Sequence, residues 1–524
     1  MLPHRRLSRL INFILVACLV GFVFLFLQRP GLEEQDVNSV WAKREHLDLG
    51  RAVAQLKNID EDVVTEKEET EKGSKKKEMA GSLQKWLKQP VVPVENDGKQ
   101  QKVYESEEQA DWERDLKIGE KMKITGREVV DSVNYLNNHF SVLNTDKFGD
   151  IDNVKIVIVI QVHSRLEYLR YLVDTLSKAR GIEEILLVFS HDVKIPSIDH
   201  IVRNITFARV QQIFYPYNSQ LFPHVFPGQD PNDCPEKIKR ENAREMGCQN
   251  WEYPDKYGNY RVARFTQIKH HWWWKMNYVF DGIIDRKGLD PWVLLLEEDH
   301  YVSPDAVYTL KNIIDNRQTL CADCELISLG FYLKTYSSYG TNIDRLGVHP
   351  WFSSKHNMGM ALTKQSWSKI KNCSELFCSW DDYNWDWSLL QISVKCLPQR
   401  FKVIFAKAPR VLHVGDCGVH THRCAVHNAA DAAANLFKEH EGRLFPREFK
   451  VTEVSRRMLK PSKENGGWGD SRDRALCSLN THPLRLREES GMNSTVLEPL
   501  FRSSVSMDSL SPRNRSMPGI GPPG

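Results

Sequence analysis

The chain has 524 residues, with 71 Lys and Arg against 68 Asp and Glu, and a formal net charge of +3. This near balance argues against a polyanionic partner, and no basic patch with interleaved aromatic residues indicates nucleic-acid binding.

The N-terminus predicts a membrane anchor. Residues 1–9 carry Arg5, Arg6 and Arg9, and residues 10–28 are almost wholly apolar. A helix of about 20 apolar residues spans a bilayer, and positive charge on its N-terminal flank keeps that end in the cytosol. We therefore expect a cytoplasmic tail, a signal-anchor helix at 10–28 and a single-pass type II membrane protein. A cleaved signal peptide is the alternative, and it also leads into the secretory pathway.

The segments next to the anchor and at the C-terminus are not expected to fold. Residues 29–125 are rich in Glu, Lys and Gln and cannot bury enough apolar surface, so we interpret them as a stem. Residues 481–524 are rich in Ser, Pro and Arg and predict a disordered tail. The remaining lumenal head, residues 126–480, is long enough for one large domain or two modest ones.

The cysteine content fits an oxidising compartment. Of the 11 cysteines, Cys18 lies in the apolar segment, and the other ten are an even set that indicates five disulfides. The residues alone leave their pairing open, and zinc binding by the closely spaced Cys321 and Cys324 is an alternative. Sequons at Asn204, Asn372, Asn493 and Asn514 agree weakly with a lumenal location.

The head begins with alternating helix and strand patterns. Apolar residues recur at helical spacing over residues 133–140, and a β-branched run at 154–160 predicts a strand buried on both faces. A helical pattern at 168–176 leads to a second strand at 185–189. This β-α-β order predicts a parallel sheet, with ligands bound beyond the carboxyl ends of its strands.

A further strand pattern, residues 293–296, runs directly into Glu297, Glu298, Asp299 and His300. Adjacent carboxylates in a buried strand would lose water without gaining a partner. A divalent cation such as Mg²⁺ or Mn²⁺ supplies that partner. The motif therefore predicts a metal site that receives a charged ligand such as a phosphate, and an acidic surface turn is the alternative.

Four other segments carry candidate functional residues. His413 follows a strand pattern and stands beside a glycine, as a second metal ligand or as a structural histidine. Residues 380–387 alternate aromatics with carboxylates, which suits either sugar binding with a general base or an aromatic core edge. Residues 267–275 predict the start of a helix with packed tryptophans, and the Gly-rich residues 465–470 are a weak phosphate signal. The candidate phosphate contacts in that helix are Lys269, His270 and His271.

Together these segments resemble the N-acetylglucosaminyltransferase II family of the Golgi over about residues 130–480. The matching motifs lie, in order, at 161–165, 190–192, 269–275, 296–300, 356–359, 381–387, 413–417 and 465–470. The resemblance implies a Rossmann-like α/β GT-A fold, UDP-GlcNAc as donor and Mn²⁺ as cofactor. It also implies inverting transfer of GlcNAc in β1,2 linkage to the α1,6-linked mannose of the N-glycan core, which commits hybrid to complex N-glycans.

The resemblance also implies roles for individual residues. Asp299 and His413 would bind the metal, Asp386 would be the catalytic base, and Trp385 and Trp387 would hold the acceptor. The residues implied around the nucleotide sugar are Gln161, Val162, His163, Ser164, Arg165, Asp192, Gln267, Ile268, Lys269, His270, His271 and Glu298. The implied disulfides are Cys234–Cys248, Cys321–Cys324, Cys373–Cys396, Cys378–Cys477 and Cys417–Cys424.

One position departs from the family. Where the family has a substrate-binding arginine, this chain has Tyr336, and the nearby Lys334 is a point charge that cannot repeat a bidentate contact. Substrate affinity at that position is therefore an open question.

The expected partners are UDP-GlcNAc, an N-glycan acceptor on glycoproteins, the Golgi membrane and a second copy of the chain, with no nucleic acid. The alternatives are a related GlcNAc transferase with another mannose acceptor, and a membrane-anchored lectin without activity. A lumenal metal-dependent hydrolase is a weaker alternative, because it would usually carry a denser set of His and Asp ligands.

Overall fold

The computed structural model describes residue 124 and residues 126–332, 336–415, 426–461 and 463–484. All of them belong to the compact unit formed by residues 105–524. The predicted cytoplasmic tail and anchor lie outside these residues, as do nearly all of the predicted stem and most of the predicted tail. No helix in the described ranges is long and apolar enough to cross a bilayer.

The strands within the described residues are β1 Val142–Leu143, β2 Ile156–Val162, β3 Leu186–His191, β4 Arg209–Phe214, β5 Trp292–Glu297, β6 His300–Val302, β7 Leu326–Gly330, β8 Arg345–Pro350, β9 Met358–Leu362, β10 Lys402–Ala406, β11 Val411–His413 and β12 Lys450–Val454. Ten of these strands form one mixed sheet in the order β1-β4-β3-β2-β5-β9-β7-β10-β8-β12, and β11 pairs with β6 in a second sheet.

Helices cover both faces of the large sheet, so the head has the predicted α/β architecture. The described α-helices are α1 Gly126–His139, α2 Thr145–Phe148, α3 Leu166–Ser177, α4 Pro196–Arg203, α5 Arg240–Met246, α6 Ala263–Asn277, α7 Ala306–Asp315, α8 Arg317–Cys321, α9 Ser353–His356, α10 Lys364–Lys371, α11 Ser374–Ser379, α12 Trp385–Gln391, α13 Val426–Glu439 and α14 Ser471–Asn480. Short 3₁₀ turns at Ile182–Glu184 and Glu441–Arg443 and π-helical turns at Tyr278–Asp285 and Ile392–Cys396 complete the list.

Strand β2 is the centre of the fold and runs parallel to both β3 and β5. Val157 and Val159 pack into one core cluster and Ile158 and Ile160 into the other, so a continuous apolar run is needed to fill both faces. The strand ends two residues later than the sequence pattern predicts. Gln161, just beyond the predicted strand, is still paired with β3 and β5 through the sheet register.

Helix α6 begins at Ala263, so residues 267–275 are its middle and the predicted helix start is wrong by four residues. Trp272, Trp273 and Trp274 are buried in the core, which confirms that these aromatics serve packing. The helix continues directly into the π-helical turn after Asn277.

The small second sheet joins two distant parts of the chain. Strand β6 follows the turn after β5, and β11 pairs with it in antiparallel register, with His300 opposite His413. This pairing carries His413 to the predicted metal motif, although more than a hundred residues separate them in sequence.

Four of the five implied disulfides are present: Cys234–Cys248, Cys321–Cys324, Cys373–Cys396 and Cys378–Cys477. The zinc alternative for the second pair is therefore wrong. The fifth implied pair, Cys417–Cys424, lies outside the described residues.

We expect the Cys378–Cys477 bond to be the largest single contributor to stability among the four described disulfides. It closes a loop with a sequence separation of 99, and a loop of that length constrains the unfolded chain by about 4–5 kcal/mol. Replacing both cysteines by Ala should lower the free energy of unfolding by that amount in a urea titration. The matched control replaces Cys321 and Cys324, whose separation is 3, and should cost clearly less. Equal losses in the two variants would contradict the prediction.

Candidate active site

Asp299 lies in the turn between β5 and β6 and is buried. Its Oδ2 accepts a hydrogen bond from Arg165 Nη1 at 2.7 Å and lies 3.1 Å from Nε2 of His413. Burial opposes ionisation, but these two cationic neighbours hold the pKa of Asp299 well below its usual range. Its second oxygen, Oδ1, is buried and has no hydrogen-bond partner among the described residues. An ionised carboxylate with an unshared oxygen is a suitable ligand for a hard cation.

Glu297 and His300 place further ligand atoms beside Asp299, all within 4.8 Å of one another. The two differ in what they can bind. Burial and the charge of Asp299 raise the pKa of Glu297, and a cation would relieve this repulsion. Burial lowers the pKa of His300 to about 4, so its ring is neutral. His300 Nδ1 accepts a hydrogen bond from the Glu297 N–H at 3.1 Å, which leaves the proton on Nε2 and disfavours ligation.

His413 fits the ligand role better than His300. Its Nε2 points to Asp299, and the charge of that carboxylate outweighs burial and raises the pKa of His413. Two carboxylates and one imidazole form an oxygen-rich donor set that suits Mn²⁺. The buried position of Glu298 and Asp299 also shows that the acidic-surface-turn alternative is wrong.

Gly415 allows the close approach of the β11 end to Asp299. A Cβ atom at this position would stand 2.1 Å from Asp299 Oδ2, far inside van der Waals contact. The backbone N–H of Val414 donates to the Asp299 carbonyl at 3.0 Å and fixes the two segments together. The glycine in the 413–417 motif is therefore required by contact with the carboxylate.

Glu298 organises the turn that follows β2. One carboxylate oxygen accepts from the backbone N–H of His163, and the other accepts from Arg165 Nε at 2.9 Å. Arg165 thus bridges Glu298 and Asp299. The structure assigns Glu298 contacts to this turn, and its implied contact with a nucleotide sugar stays a prediction.

Asp192, after β3, is the centre of a second buried network. Its carboxylate contacts His163 Nδ1 at 2.7 Å, Gln267 Nε2 at 2.8 Å and His271 Nδ1 at 3.3 Å. Burial opposes its charge, but His163 and His271 hold the pKa of Asp192 well below its usual range. Ser190 Oγ bonds to His271 Nε2 at 2.7 Å and completes the network. Residues from three of the predicted donor segments therefore meet at the carboxyl ends of β2 and β3.

Not all predicted donor residues face this network. The side chains of Lys269 and His270 are held by the 380–382 turn and by Asp473, respectively. Val162 is buried in one core cluster, and Ile268 packs against the other. Their implied contacts with the nucleotide sugar stay predictions.

The remaining two donor candidates differ. The side chain of Gln161 accepts from the buried Lys275 at 2.7 Å, whose pKa burial lowers to about 7. Ser164 is half-buried in the turn after β2, where its carbonyl accepts from the Leu166 N–H.

Asp386 lies in the first turn of α12. Its Oδ2 accepts from Asn357 Nδ2 at 3.0 Å, and its Oδ1 accepts from the backbone N–H of Trp387 at 2.9 Å. Burial raises the pKa of Asp386 to about 6. A carboxylate with a pKa near neutral that keeps two directed donors has the properties of a general base.

The two tryptophans beside Asp386 have different surroundings. Trp385 is buried and stacks on Trp272 with ring centroids 4.4 Å apart, as a core-edge residue does. Trp387 is half-buried and meets Phe352 edge to face. Of the two, Trp387 is the more available for an apolar sugar face.

One small cavity connects the metal motif with the Asp386 side of the site. Its volume is about 30 Å³, enough for a cation or a water molecule but not for a sugar. Its wall includes Glu297, His300 and His413 on one side and Asn357, the partner of Asp386, on the other.

Sequence reasoning missed three residues of this wall. Lys275 and Asn357 lie inside motifs that match the family, and that match was the signal by which they could have been found. Tyr332 is exposed, and its ring centroid lies 5.7 Å from that of His413. Tyr336, at the position of the family arginine, is also exposed, and Lys334 lies outside the described residues.

The chain is similar to known proteins over most of this head. A family model described as N-acetylglucosaminyltransferase II matches residues 130–477. An alpha-1,6-mannosyl-glycoprotein 2-beta-N-acetylglucosaminyltransferase of Sus scrofa is 41% identical over 343 residues, covering 65% of this chain and 77% of that protein. The Homo sapiens protein of the same name is 41% identical over 344 residues, with the same coverage.

Similarity to a solved structure is much weaker. The crystal structure of S. aureus TarS 1-349 aligns with a TM-score of 0.28 and 7% identity, covering 67% of this chain and 78% of that one. A score this low supports no inference about this chain.

We expect Gly415→Ala to disrupt the candidate metal site. The new Cβ would displace the Asp299 carboxylate, so the affinity for Mn²⁺ measured by calorimetry should fall at least tenfold. Gly442→Ala is the matched control, because its Cβ would meet nothing within 4 Å. Unchanged Mn²⁺ affinity in Gly415→Ala would contradict the assignment of Asp299.

Proposed function

Because the chain belongs to the N-acetylglucosaminyltransferase II family, we propose that it is a glycosyltransferase that transfers GlcNAc from UDP-GlcNAc in β1,2 linkage to the α1,6-linked mannose of N-glycans. This reaction converts hybrid into complex N-glycans. The head would then have the GT-A fold, for which the parallel β2, β3 and β5 and their polar carboxyl ends are the supporting features.

One observation carries the proposal. The buried Asp299 has one oxygen without a hydrogen-bond partner among the described residues, and His413 is brought to 3.1 Å from the other oxygen. The same cavity reaches Asn357, which holds Asp386. Two candidate metal ligands and a candidate base thus lie around one cavity. This arrangement suits the transfer of a sugar from a nucleoside diphosphate.

Each part of the chain has a distinct task in the proposed reaction. Asp386 accepts the proton of the mannose 2-hydroxyl as its oxygen bonds to the anomeric carbon of GlcNAc and the bond from that carbon to UDP breaks. Attack from the side opposite UDP inverts the anomeric configuration. Bound Mn²⁺ supplies Lewis-acid stabilisation of the charge on the departing diphosphate, and Asp299, His413 and Glu297 are the residues that would hold it.

Arg165 links the proposed Mn²⁺ site to the proposed binding site of the donor, UDP-GlcNAc. Its guanidinium contacts Asp299 and Glu298 at 2.7 and 2.9 Å, so one planar cation lies between the metal ligand and the turn after β2. A guanidinium can bind phosphate oxygens with two parallel hydrogen bonds. This placement supports Arg165 as a contact of the donor diphosphate.

We also propose that the protein is a single-pass type II protein of the Golgi membrane, with residues 10–28 as anchor. The basic flank and the apolar length of that segment support it, and so do the four disulfides of the head. Protease treatment of intact microsomes should leave the head protected; digestion of the head would contradict this topology.

The activity is tested with the purified protein, UDP-GlcNAc, Mn²⁺ and a trimannosyl acceptor that already carries GlcNAc on its α1,3 arm. We expect UDP release and a β1,2-linked product on the α1,6 arm, and loss of both in excess EDTA. Another product linkage would identify a related transferase with a different acceptor. Acceptor binding without UDP release would identify the lectin alternative.

The pH dependence tests Asp386. Only the ionised carboxylate accepts a proton, so with a pKa of about 6 the value of kcat/KM should fall about tenfold per pH unit below that pKa. Asp386→Asn should lower kcat by about 10²–10⁴. Asn357→Ala removes a donor to the charged form and should move the acidic limb to higher pH. Asn316→Ala, an exposed helix-end residue, is the control, and an unshifted profile in Asn357→Ala would contradict the base assignment.

A further inference from the structure

Lys269 is a buried cation-forming residue that the proposed reaction does not use. It lies in the middle of α6 with no exposed surface. Its Nζ donates to the backbone carbonyls of Asp382 at 2.9 Å and Trp380 at 3.2 Å and stands 4.1 Å from the centre of the Trp468 ring. Burial lowers the pKa of Lys269 to about 7. Both hydrogen bonds of the Lys269 side chain therefore go to the turn at residues 380–382.

That turn leads directly into the helix with Asp386. The carboxylate of Asp382 is buried and accepts from the backbone N–H of Asn384 at 2.9 Å and from its Nδ2 at 3.1 Å. It also accepts from the backbone N–H of Asn465 at 2.9 Å. The turn is therefore held on one side by Lys269 and on the other by the Gly-rich loop, and α12 begins at the next residue, Trp385.

Two faces of helix α6 contact different parts of the candidate site. Residues four apart share a face of an α-helix, and a residue midway between them points elsewhere. Gln267 and His271 both contact Asp192 in the donor network. Lys269, between them, contacts the 380–382 turn, and His270 contacts Asp473 at 2.9 Å.

We propose that Lys269 is a positioning residue that holds the general base, and not a contact of the nucleotide sugar. Its two hydrogen bonds fix the turn from Trp380 to Asn384 and thereby the first helical turn that carries Asp386. The inference rests on the proposed function, because it takes Asp386 as the base.

The physical reason for a lysine here is the pair of carbonyls that face α6 from the turn. Each carbonyl oxygen has two lone pairs and can accept a second hydrogen bond beyond its local one. An amine with several donors on a long flexible stem satisfies both carbonyls from a neighbouring helix. Each carbonyl also has a local donor, the Asp382 N–H for Trp380 at 2.8 Å and Ser388 Oγ for Asp382 at 3.3 Å. Removing the lysine therefore leaves these local bonds in place but takes away the two hydrogen bonds that tie the turn to α6.

The test compares Lys269→Met with Gln267→Met in the full-length protein. For Lys269→Met we expect the affinity for UDP, measured by calorimetry with Mn²⁺, to stay within twofold while kcat falls at least tenfold. The acidic limb of kcat/KM should also shift, because Asp386 loses its fixed surroundings. Gln267→Met, on the opposite face of the same helix, should instead lower the UDP affinity at least tenfold, because Gln267 contacts Asp192 in the donor network.

The opposite result would overturn the proposal. If Lys269→Met weakens UDP binding at least tenfold and leaves kcat unchanged, Lys269 contacts the nucleotide sugar. The proposed transferase function would be unaffected by that result. If the wild-type protein transfers nothing, the proposed function itself fails. If Lys269→Met does not fold, Lys269→Gln, which keeps a polar side chain but shortens its reach to the two carbonyls, is measured in its place. A parallel loss of UDP affinity and kcat in these variants would show a role in the whole fold and would also overturn the proposal.

Discussion

The buried carboxylate of Asp299 at the end of β5 is the constraint on which the site depends. A buried charge is stable only with partners, and the partners of Asp299 come from two other segments: Arg165 after β2 and His413 at the end of β11, where Gly415 leaves room for the contact. Meeting this requirement joins the three segments. The Oδ1 atom of Asp299 has no hydrogen-bond partner among the described residues, so it is available to the proposed cation.

The base side of the site is held by a different set of buried charges. Arg261 contacts Asp473 of α14 at 2.8 Å, and Asp473 also contacts His270 of α6. The disulfide Cys378–Cys477 ties α11 to the same helix. A buried pair loses far more when one partner is removed than it contributes as a pair, so these contacts specify one arrangement of α6, α11 and α14.

Helix α6 connects the two halves. One face reaches Asp192 and the turn after β2, and the other reaches the turn before Asp386. Between these faces three tryptophans pack into the core and prevent the helix from rotating or sliding. The proposed binding positions of donor and acceptor are thus both fixed relative to one rigid helix. This suits a displacement reaction, in which the reacting groups must be aligned.

Several features followed from the amino-acid sequence alone. Continuous apolar runs predicted β2, β3 and β5, because a strand with both faces buried needs apolar side chains throughout. The type of residue predicted the chemistry: carboxylates after β5 indicated a cation, and the even set of ten cysteines outside the apolar N-terminal segment indicated disulfides. These inferences depend on short-range pattern and on residue chemistry, which the chain carries wherever it folds.

Only the tertiary structure decided how these parts combine. The pairing of β6 with β11 brings His413 beside His300, and the Nδ1 of His300 already accepts a backbone N–H, which favours His413 as the proposed ligand. The packing of α6 decides that Gln267 and Lys269, two residues apart, serve different sites. Burial sets the pKa of Asp386 near 6. Each of these outcomes depends on contacts between residues far apart in the sequence and on the loss of water, and neither is encoded in local spacing.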